Sequence, residues 1–493
     1  MDSIIILFTF TIYLICMLFI GIIFYKKTED ISDYVLGGRK LNSWVTAISA
    51  QASDMSGWLL MGLPGYAYLA GMESIWIAIG LGLGTYLNWK LIAQRLRRYT
   101  EIAGDSITLP VYFENRFRDK SKLLRIVSAL FILIFFLIYT SSGLVAGGKL
   151  FNTVFNIKYE YALTIGTLVI ISYTFLGGFM AVSWTDFFQG SIMFFAMIIV
   201  PFAAIVNVGG ISNTLDHLKQ VNVELLNPFT TLDGSMISAL SIISLLAWGL
   251  GYFGQPHILS RFMAISSSKK IKKARNIAMI WVVVSLVAAV LVGITGIAFT
   301  TEVLQGNESE TIFIVMINKL FPSVIAGILL SAILAAIMST ADSQLLVTAS
   351  ALTEDIYKAV FKRNATGKEL LRVSRITVIA VALIAYVLAL NPNNSVLDLV
   401  SYAWAGFGAA FGPVVILSLF WKRMTRNGAL AGMILGGITV LVWKQLEGGI
   451  FELYEIIPGF LIALAAIYIF SISDKEPSQE IIEEFEKVQV SDI

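Results

Sequence analysis

One apolar segment of the sequence carries a carboxylate among helix-breaking residues. Residues 49–65 contain Asp54, three serines, three glycines and a proline. A charged side chain at the centre of a bilayer costs about 3 kcal/mol even on lenient insertion scales, so Asp54 is expected to face a polar cavity or a partner. Irregular backbone at membrane depth is tolerated only where protein or water covers it. The stretch therefore predicts a binding site built on a broken helix.

A second group of oxygen-bearing residues lies within residues 331–343. Asp342 and Ser343 follow Ser339 by three and four positions, so their oxygens share one helix face. A hard monovalent cation needs several oxygen ligands, which hydroxyl groups and backbone carbonyls supply with little fixed charge. The alternative is that these hydroxyl groups bond back to the preceding turn or mediate helix packing.

The elements that position these residues are those of a polytopic membrane protein. The chain has 493 residues, of which 57% are hydrophobic and 14% charged, and its mean hydropathy is +0.80. That balance excludes a large soluble enzyme. At about 20 apolar residues per span, we expect an all-α fold with about thirteen transmembrane helices. They are predicted to start near residues 3, 42, 73, 126, 160, 187, 235, 277, 323, 373, 397, 428 and 454.

The seventh predicted span is also irregular, since residues 248–256 contain three glycines and a proline. Two spans interrupted in this way, at corresponding positions of two halves, point to a transporter site. Each is followed by four more spans, and because five is odd, the second set starts from the opposite side of the membrane. The chain therefore predicts an inverted repeat of five plus five core helices. In the third span, Gly80, Gly82 and Gly84 have a spacing that lets another helix pack closely.

This repeat divides the chain into six segments. The two five-helix repeats are expected at 42–209 and 235–421, with an external loop at 210–234 between them. The peripheral segments are a first span with a cytoplasmic link at 1–41, two further spans at 422–473, and a solvated, acidic cytoplasmic tail at 474–493.

The distribution of basic residues indicates the orientation of the chain. With the N-terminus outside, almost all Lys and Arg residues fall on the cytoplasmic side, including Lys26 and Lys27 after the first span. The outer ones are Lys149, Lys158, Lys219, Lys319 and Lys444. The positive-inside rule therefore favours an external N-terminus and a cytoplasmic C-terminus in the plasma (cell inner) membrane. The basic clusters at 95–125 and 261–275 then lie near lipid headgroups, and we expect no nucleic-acid partner.

Several kinds of chemistry are excluded by what the sequence lacks. His217 and His257 are the only histidines and Cys16 is the only cysteine, so neither a zinc cluster nor a histidine-containing triad is expected. Residues 143–149 fit the GxxxxGK pattern, but Leu150 stands where a P-loop needs a hydroxyl group. We therefore expect neither an enzyme nor ATP-driven transport.

One further carboxylate, Asp186, has two interpretations. It lies near the predicted start of the sixth span. It either caps the first turn of that helix, where acidic residues are favoured, or takes part in the functional site.

Long motifs in the chain carry a resemblance to a known family. They lie at 36–39, 53–65, 95–101, 181–186 and 338–340. In these motifs the sequence resembles the sodium:solute symporter family, and within it the members that carry proline. The resemblance implies the leucine-transporter type of fold, with ten core helices and peripheral spans. It also implies sodium-coupled uptake, with Na⁺ as the coupling ion and L-proline as the expected substrate.

The resemblance also assigns roles to individual residues. Asp54 matches the family's carboxylate in the broken helix, near sodium without necessarily ligating it. The main sodium site would use the backbone carbonyls of Ala52, Met55 and Ala336 with the hydroxyl groups of Ser339 and Thr340. The positions associated with proline binding and the inner gate are Ser56, Gly57, Trp58, Tyr139, Trp248, Tyr252 and Pro256. Some members bind a second sodium, which would here involve Asp186, Ser339, Asp342 and Ser343. Asp342 stands where some relatives have a hydroxyl residue, so the ion stoichiometry stays open.

Other functions remain compatible with the sequence. The substrate could be another amino acid, a sugar acid or a vitamin. A transporter-like sensor is a second alternative, although no signalling domain is expected after the last span. A membrane enzyme is a third alternative, for which the sequence offers no catalytic constellation. We expect the protein to act as a monomer in the lipid bilayer on a small-molecule substrate.

Overall fold

The protein is built almost entirely of helices. The computed structural model describes residues 2–25, 31–174, 178–300 and 303–490. The α-helices of the first half are α1 (Asp2–Tyr25), α2 (Ile31–Leu36), α3 (Ser43–Asp54), α4 (Leu63–Ala70), α5 (Ile75–Leu87), α6 (Ala93–Ile102), α7 (Leu109–Arg116), α8 (Leu123–Phe155), α9 (Tyr159–Thr174), α10 (Phe179–Val208) and α11 (Ile211–Val221). Those of the second half are α12 (Ala239–Leu246), α13 (Pro256–Ala264), α14 (Ile271–Phe299), α15 (Ile312–Leu320), α16 (Ser323–Ser350), α17 (Gly367–Leu388), α18 (Val396–Phe420), α19 (Arg426–Trp443), α20 (Ile456–Ser473) and α21 (Gln479–Val490).

Ten helical stretches in the described part of the chain are long and apolar enough to cross a membrane. One of them, Trp58–Ile102, has 45 residues and turns at Gly71–Ser74, where Gly71 has a φ of 66°. Two shorter apolar helices, Tyr159–Ile171 and Ala239–Gly254, accompany the ten. The chain is therefore a multi-pass membrane protein, whereas the number of thirteen crossings stays a prediction.

The irregular stretch in the second predicted span is a break in the helix. Asn42 caps the start of α3, because its Oδ1 accepts hydrogen bonds from the N–H groups two and three residues later. The helix ends at Asp54, and Met55 leaves helical geometry with φ −85° and ψ 77°. A π-helical turn, Trp58–Gly62, then leads into α4. The last carbonyl groups of α3 consequently lose their intrahelical partners in the middle of the protein.

The seventh predicted span is interrupted as well. Helix α12 passes into a 3₁₀ segment, Ala247–Gly254, and Gln255 is extended before α13 begins at Pro256. Proline suits a first helical position, where its missing N–H leaves no bond unmade. Gly251 is required because a Cβ there would overlap the indole ring of Trp404. The 3₁₀ segment, called the unwound segment below, therefore packs directly against α18.

Two glycines let α5 approach the unwound segment and the end of α12. A Cβ on Gly80 would overlap the carbonyl group of Leu246, and one on Gly84 would overlap that of Gly249. Gly82 instead faces open space. The prediction of close packing is therefore confirmed for two of the three glycines, because only they lie on the helix face turned towards this neighbour.

Helix α3 lies inside the bundle and not at its surface. It packs against α10, α13, α14 and α16, and its residues 45–54 are all buried. A helix that carries a buried carboxylate and ends at membrane depth needs such neighbours, because lipid offers no hydrogen bonds. The four surrounding helices therefore set the geometry of the break.

The structure corrects the prediction for the sixth span. Helix α10 begins at Phe179 and not near residue 187, so Asp186 lies about two turns inside the helix and does not cap it. Gly178 holds the position before the helix instead, without a side-chain cap. Lys26 and Lys27, expected at the end of the first span, lie outside the described residues.

The tail expected at 474–493 is not wholly solvated. Helix α21 lies against α6, and the Phe485 and Val488 side chains are only 3% and 2% exposed. The Phe485 ring covers the buried guanidinium of Arg116, with 5.3 Å between the Arg116 Cζ and the ring centre. The acidic composition of the tail does not indicate this apolar face, because its residues come together only when the segment forms a helix.

The glycine contacts predict a contrast between two substitutions on one helix. Gly84→Ala should lower the free energy of unfolding by about 1–3 kcal/mol, because the added methyl group overlaps backbone that cannot rotate away. Gly82→Ala is the matched control and should be neutral or slightly stabilising, since its Cβ meets open space. Thermal unfolding of the purified variants measures the difference. Equal midpoints for the two variants would contradict the close packing of α5.

Candidate functional site

The break at the end of α3 presents Asp54 to two other helices. Tyr252, from the unwound segment, donates a hydrogen bond from its Oη to Asp54 Oδ2 over 2.8 Å. The Asp54 backbone carbonyl accepts hydrogen bonds from Tyr139 Oη at 2.9 Å and from Trp58 Nε1 at 3.1 Å. Asp54 Oδ1 is buried without a hydrogen-bond partner among the described residues. One carboxylate oxygen at the break is therefore left unsatisfied by the protein.

The carbonyl group of Ala52, in the last turn of α3, faces α16. Ser339 Oγ donates a hydrogen bond to it over 2.7 Å, and Thr340 Oγ1 does so over 3.4 Å. Ser339 Oγ also lies 3.3 Å from the carbonyl oxygen of Ala336. Met55 follows directly at the break, with its side chain fully buried. Four of the five positions assigned to the main sodium site thus meet at one point, and the fifth adjoins it.

Aromatic rings surround the unwound segment. The ring centres of Trp58 and Trp248 are 6.3 Å apart, and Trp248 also lies against Tyr454, with 5.6 Å between their ring centres. Tyr252 packs edge to face on Trp404 at 4.9 Å. Trp404 Nε1 donates a hydrogen bond to the Trp248 carbonyl over 2.7 Å. The unwound backbone therefore gains a partner from α18 as well as an apolar lining.

The remaining assigned substrate positions lie in two places. Ser56 and Gly57 form the turn after Asp54, and Ser56 Oγ lies 3.4 Å from the backbone nitrogen of Trp58. A Cβ on Gly57 would lie 2.8 Å from the Cβ of Ala146, so the turn approaches α8 closely. Pro256 instead lines a separate cavity that α7 and α16 help to form. Other residues of that cavity are Thr108, Ser260, Ser350 and Asp355.

Two of the four residues assigned to a second sodium site contact a buried guanidinium. Arg261 Nη2 pairs with Asp186 Oδ2 at 3.0 Å and donates a hydrogen bond to Ser343 Oγ at 2.6 Å. Ser49 Oγ donates to Asp186 Oδ2 at 2.7 Å and accepts from Arg261 Nε at 3.1 Å. Asp342 is buried in α16. The structure thus brings Asp186 and Ser343 together around a cation that the protein itself supplies.

Arg261 is the main residue that reasoning from the sequence missed. The sequence predicts a basic cluster at 261–275 beside the headgroups, but α13 continues to Ala264 and the Arg261 side chain is completely buried. The next two residues, Phe262 and Met263, and Leu259 two positions earlier are apolar, and an arginine in such a part of a span needs a partner inside the bundle. That local pattern was the available signal. Trp404, one of ten tryptophans in the chain, offered none.

The end of the bundle opposite the basic clusters is covered by the loop before α15. In this loop Glu310 pairs with Lys149 of α8 at 2.5 Å. Glu310 also accepts hydrogen bonds from the N–H groups of Val396 and Leu397 at the start of α18, each at 3.1 Å. A Cβ on Gly65 would lie 2.8 Å from the Glu310 backbone. The loop therefore packs onto α4, the helix that follows the break.

The chemistry available at the break is that of reversible binding. Its converging oxygens belong to backbone carbonyl groups and to the Ser339 and Thr340 hydroxyl groups, beside one carboxylate. Among the residues that the structure describes, no group of three or more His, Cys, Asp or Glu side chains could hold a metal ion. The oxygen set instead suits a hard monovalent cation, which needs little fixed charge.

Known transporters are similar to this chain over nearly its whole length. The chain is 54% identical over 486 residues to the "Sodium/proline symporter" of Salmonella typhimurium, a match that covers 98% of this chain and 95% of the relative. It is also 54% identical over 476 residues to the "High-affinity proline transporter PutP" of Bacillus subtilis, which covers 96% and 99% of the two chains.

A solved structure establishes the fold. The substrate-bound outward-open state of a Na⁺-coupled sialic acid symporter matches with a TM-score of 0.79 at 21% identity, covering 96% of this chain and 98% of that chain. The likeness confirms the leucine-transporter type of fold. Residues 34–436, which include both broken spans, match the sodium:solute symporter family. By this match and by its identity to known symporters, the chain belongs to the sodium:solute symporter family.

Proposed function

We propose that this protein is a transporter, not an enzyme, and that it imports L-proline together with sodium by alternating access. The similar proteins of Salmonella typhimurium and Bacillus subtilis bear the names of proline transporters. One observation carries the proposal: the Ala52 carbonyl meets two hydroxyl groups of α16 beside the buried Asp54 carboxylate. The contact joins a broken helix to a neighbour through neutral oxygens, as a reversible cation site requires.

Sodium is the proposed co-transported substrate, bound between α3 and α16. Its ligands would be the carbonyl groups of Ala52, Met55 and Ala336 and the hydroxyl groups of Ser339 and Thr340. The two hydroxyl groups now donate to the Ala52 carbonyl. Hydroxyl hydrogens rotate, so the same oxygens can turn their lone pairs towards a cation. The unsatisfied Asp54 Oδ1 supplies negative charge close by along the chain.

Proline is proposed to bind on the other side of the break. Its carboxylate would accept hydrogen bonds from N–H groups at the turn of Ser56 and Gly57, because the start of a helical segment favours an anion. The Ser56 N–H, which here donates to the Asp54 carbonyl over 3.0 Å, would have to exchange that partner. Its apolar ring would pack among aromatic side chains. Those side chains are Trp58, Tyr139, Trp248 and Tyr252. Pro256, at the start of α13, would act at the inner gate, beside the cavity that it lines.

A second sodium held by Asp186, Ser339, Asp342 and Ser343 would compete with Arg261. The guanidinium already pairs with Asp186 and donates to Ser343. A cation at that position therefore requires Arg261 to leave first. We propose a single sodium for the arrangement described here, with the second site available only after such a movement.

One sodium supplies enough free energy for useful accumulation. A membrane potential of about 100 mV contributes roughly 2.3 kcal/mol per ion. A tenfold sodium gradient adds about 1.4 kcal/mol. The sum, about 3.7 kcal/mol, sustains a substrate ratio of several hundred.

The proposed arrangement in the membrane follows the basic residues. The clusters at 95–125 and 261–275 would lie on the cytoplasmic side, with the N-terminus outside and the C-terminus in the cytoplasm of the plasma membrane. The two repeats would comprise 42–209 and 235–421, and a monomer would complete the pathway. The loop that carries Glu310 would then cover the outer end, and the cavity lined by Pro256 would open towards the cytoplasm.

Transport in proteoliposomes tests the proposal directly. An inward sodium gradient with a negative interior should drive accumulation of radiolabelled L-proline, whereas a proton gradient alone should not. Other amino acids, sugar acids and vitamins serve as competitors. Accumulation of one of these instead of proline would refute the substrate, and proline binding without accumulation would indicate a sensor.

The sodium site predicts a selective effect of two substitutions on α16. Ser339→Ala and Thr340→Ala should each raise the sodium concentration for half-maximal uptake by about 10- to 150-fold, since a lost contact to a charged group is worth about 1.5–3 kcal/mol. Ser331→Ala is the matched control, because this buried serine on the same helix bonds to the Gly327 carbonyl of its own helix. Unchanged sodium dependence in both site variants would remove them from the ligand set.

The carboxylate at the break predicts a graded loss of transport. Asp54→Asn should nearly abolish uptake, because it removes the only negative charge at the break. Tyr252→Phe should cause a smaller loss, because it removes the hydrogen bond to Asp54 Oδ2 and keeps the charge. Tyr112→Phe removes a buried hydroxyl that contacts Ser418 and serves as the control. Initial uptake rates, normalised to the inserted protein, measure the series, and normal uptake by Asp54→Asn would exclude an essential charge.

A further inference from the structure

Four lysines form a positively charged cluster at the start of α14. Lys269, Lys270, Lys272 and Lys273 are all exposed. The Lys270 ammonium donates a hydrogen bond to Ser266 Oγ over 2.9 Å. None of the ion pairs found among the described residues includes any of the four. The cluster therefore attracts a negative charge from outside the chain.

A groove with aromatic walls lies beside this cluster. Trp44 of α3 and Trp184 and Phe187 of α10 line it together with Lys270 and Lys273. Trp44 is 52% exposed. Tryptophan favours the boundary between headgroups and hydrocarbon, where one part of the ring is wet and the other dry. The groove thus combines positive charge and apolar walls at the level of the lipid headgroups.

A second cavity lies further along the same two helices, and its lining side chains are wholly apolar. Two of them remain largely exposed on the outer face, Phe202 by 67% and Val283 by 50%. The lining residues are Ile198, Pro201, Phe202 and Ile205 of α10 and Val283, Val284, Val287, Ala288 and Leu291 of α14. Such a cavity at membrane depth has room for hydrocarbon and offers nothing to a polar ligand.

The two cavities are in register on both helices. Ile198 follows Trp184 on α10, and Val287 follows Lys273 on α14, each by fourteen positions. Fourteen residues are close to four helical turns, so both pairs lie on one helix face, about 21 Å apart along the axis. Helices α10 and α14 pack against each other and run in the same direction. The apolar cavity therefore lies along the same helix pair as the lysine groove, about four turns further towards the hydrocarbon region.

We propose that this groove binds one anionic phospholipid, with its phosphate at Lys270 and Lys273 and one acyl chain along α10 and α14. Charge complementarity selects an anionic headgroup, because four lysines lack a carboxylate partner within the described chain. The apolar cavity favours a lipid over a free phosphate, because only a lipid has both an anionic headgroup for the lysines and a hydrocarbon chain for the apolar cavity. The site lies outside the sodium and proline positions, and its occupancy does not depend on which solute is carried.

The bound lipid would contact the broken helix itself. Ser43, in the first turn of α3, donates a hydrogen bond from its Oγ to the Lys270 carbonyl over 3.2 Å, and its neighbour Trp44 lines the groove. The Lys270 backbone thus holds the start of α3 beside the lysines that would bind the headgroup. The other end of α3 carries Ala52 and Asp54. The lipid would therefore stabilise one position of the helix on which the solute site is built.

Native mass spectrometry of the full-length protein, titrated with phosphatidylglycerol or phosphatidylcholine in detergent, tests the site. We expect one phosphatidylglycerol to bind more tightly than phosphatidylcholine. The double variant Lys270→Gln/Lys273→Gln should bind it about 30-fold more weakly, which corresponds to about 1 kcal/mol for each lysine. The double variant Arg363→Gln/Lys368→Gln removes the same charge near the start of α17, away from the groove, and should bind like the original protein. An equal loss in both variants, or no preference for phosphatidylglycerol, would overturn the site.

A variant of the apolar cavity separates a lipid from a free anion. Val287→Trp fills the cavity without changing any charge, and it should weaken phosphatidylglycerol binding at least several-fold. Val283→Trp, on the same wall, provides an independent filling variant if the first lowers the thermal midpoint. Soluble glycerophosphate should not displace the lipid. Displacement by glycerophosphate, or unchanged lipid affinity in both filling variants, would assign the lysines to a free phosphate and refute the lipid site.

Discussion

Every backbone polar group at membrane depth needs a partner, because hydrocarbon offers none. The end of α3 at Asp54 releases carbonyl groups from helical bonding, and neighbouring helices are arranged to receive them. The Ala52 carbonyl accepts hydrogen bonds from the Ser339 and Thr340 hydroxyl groups of α16. The Asp54 carbonyl accepts a hydrogen bond from the Tyr139 hydroxyl group of α8. The broken helix is therefore held by the same side chains that can release its carbonyl groups to a cation, which makes the break usable as a site.

The unwound segment obeys the same requirement by different means. The Trp248 carbonyl accepts a hydrogen bond from Trp404 Nε1 at 2.7 Å, and the Tyr252 carbonyl accepts one from Asn88 Nδ2 at 3.0 Å. The Tyr252 hydroxyl then reaches Asp54 Oδ2. The two interrupted spans are thus joined by one hydrogen bond between buried groups. Because an unpaired buried partner is costly, separating the two breaks would cost the free energy of this hydrogen bond.

Both helix breaks could be predicted from the sequence, because glycine and proline act locally on the backbone. The residues that meet across the bundle could not be derived in this way. The sequence is compatible with Asp186 as a helix cap because it predicts too late a start for α10, and the partner of Asp186, Arg261, lies 75 positions away. The meeting of Ala52 with Ser339 was anticipated only through the family resemblance. The buried face of α21 could not be predicted from the acidic composition of the tail. Composition gives the amount of charge, whereas burial depends on which residues share one face of the helix.

The charges already present in the bundle determine at which of the two sites an added cation is stabilised more. The Asp186 carboxylate already has the Arg261 guanidinium at 3.0 Å, so a further cation there would leave an uncompensated positive charge in a buried site. Asp54 has a neutral tyrosine hydroxyl at Oδ2, and its Oδ1 has no hydrogen-bond partner among the described residues. Opposite charges attract most strongly where water is excluded. The balance of charge therefore supports the proposed sodium position beside Asp54 over the one beside Asp186.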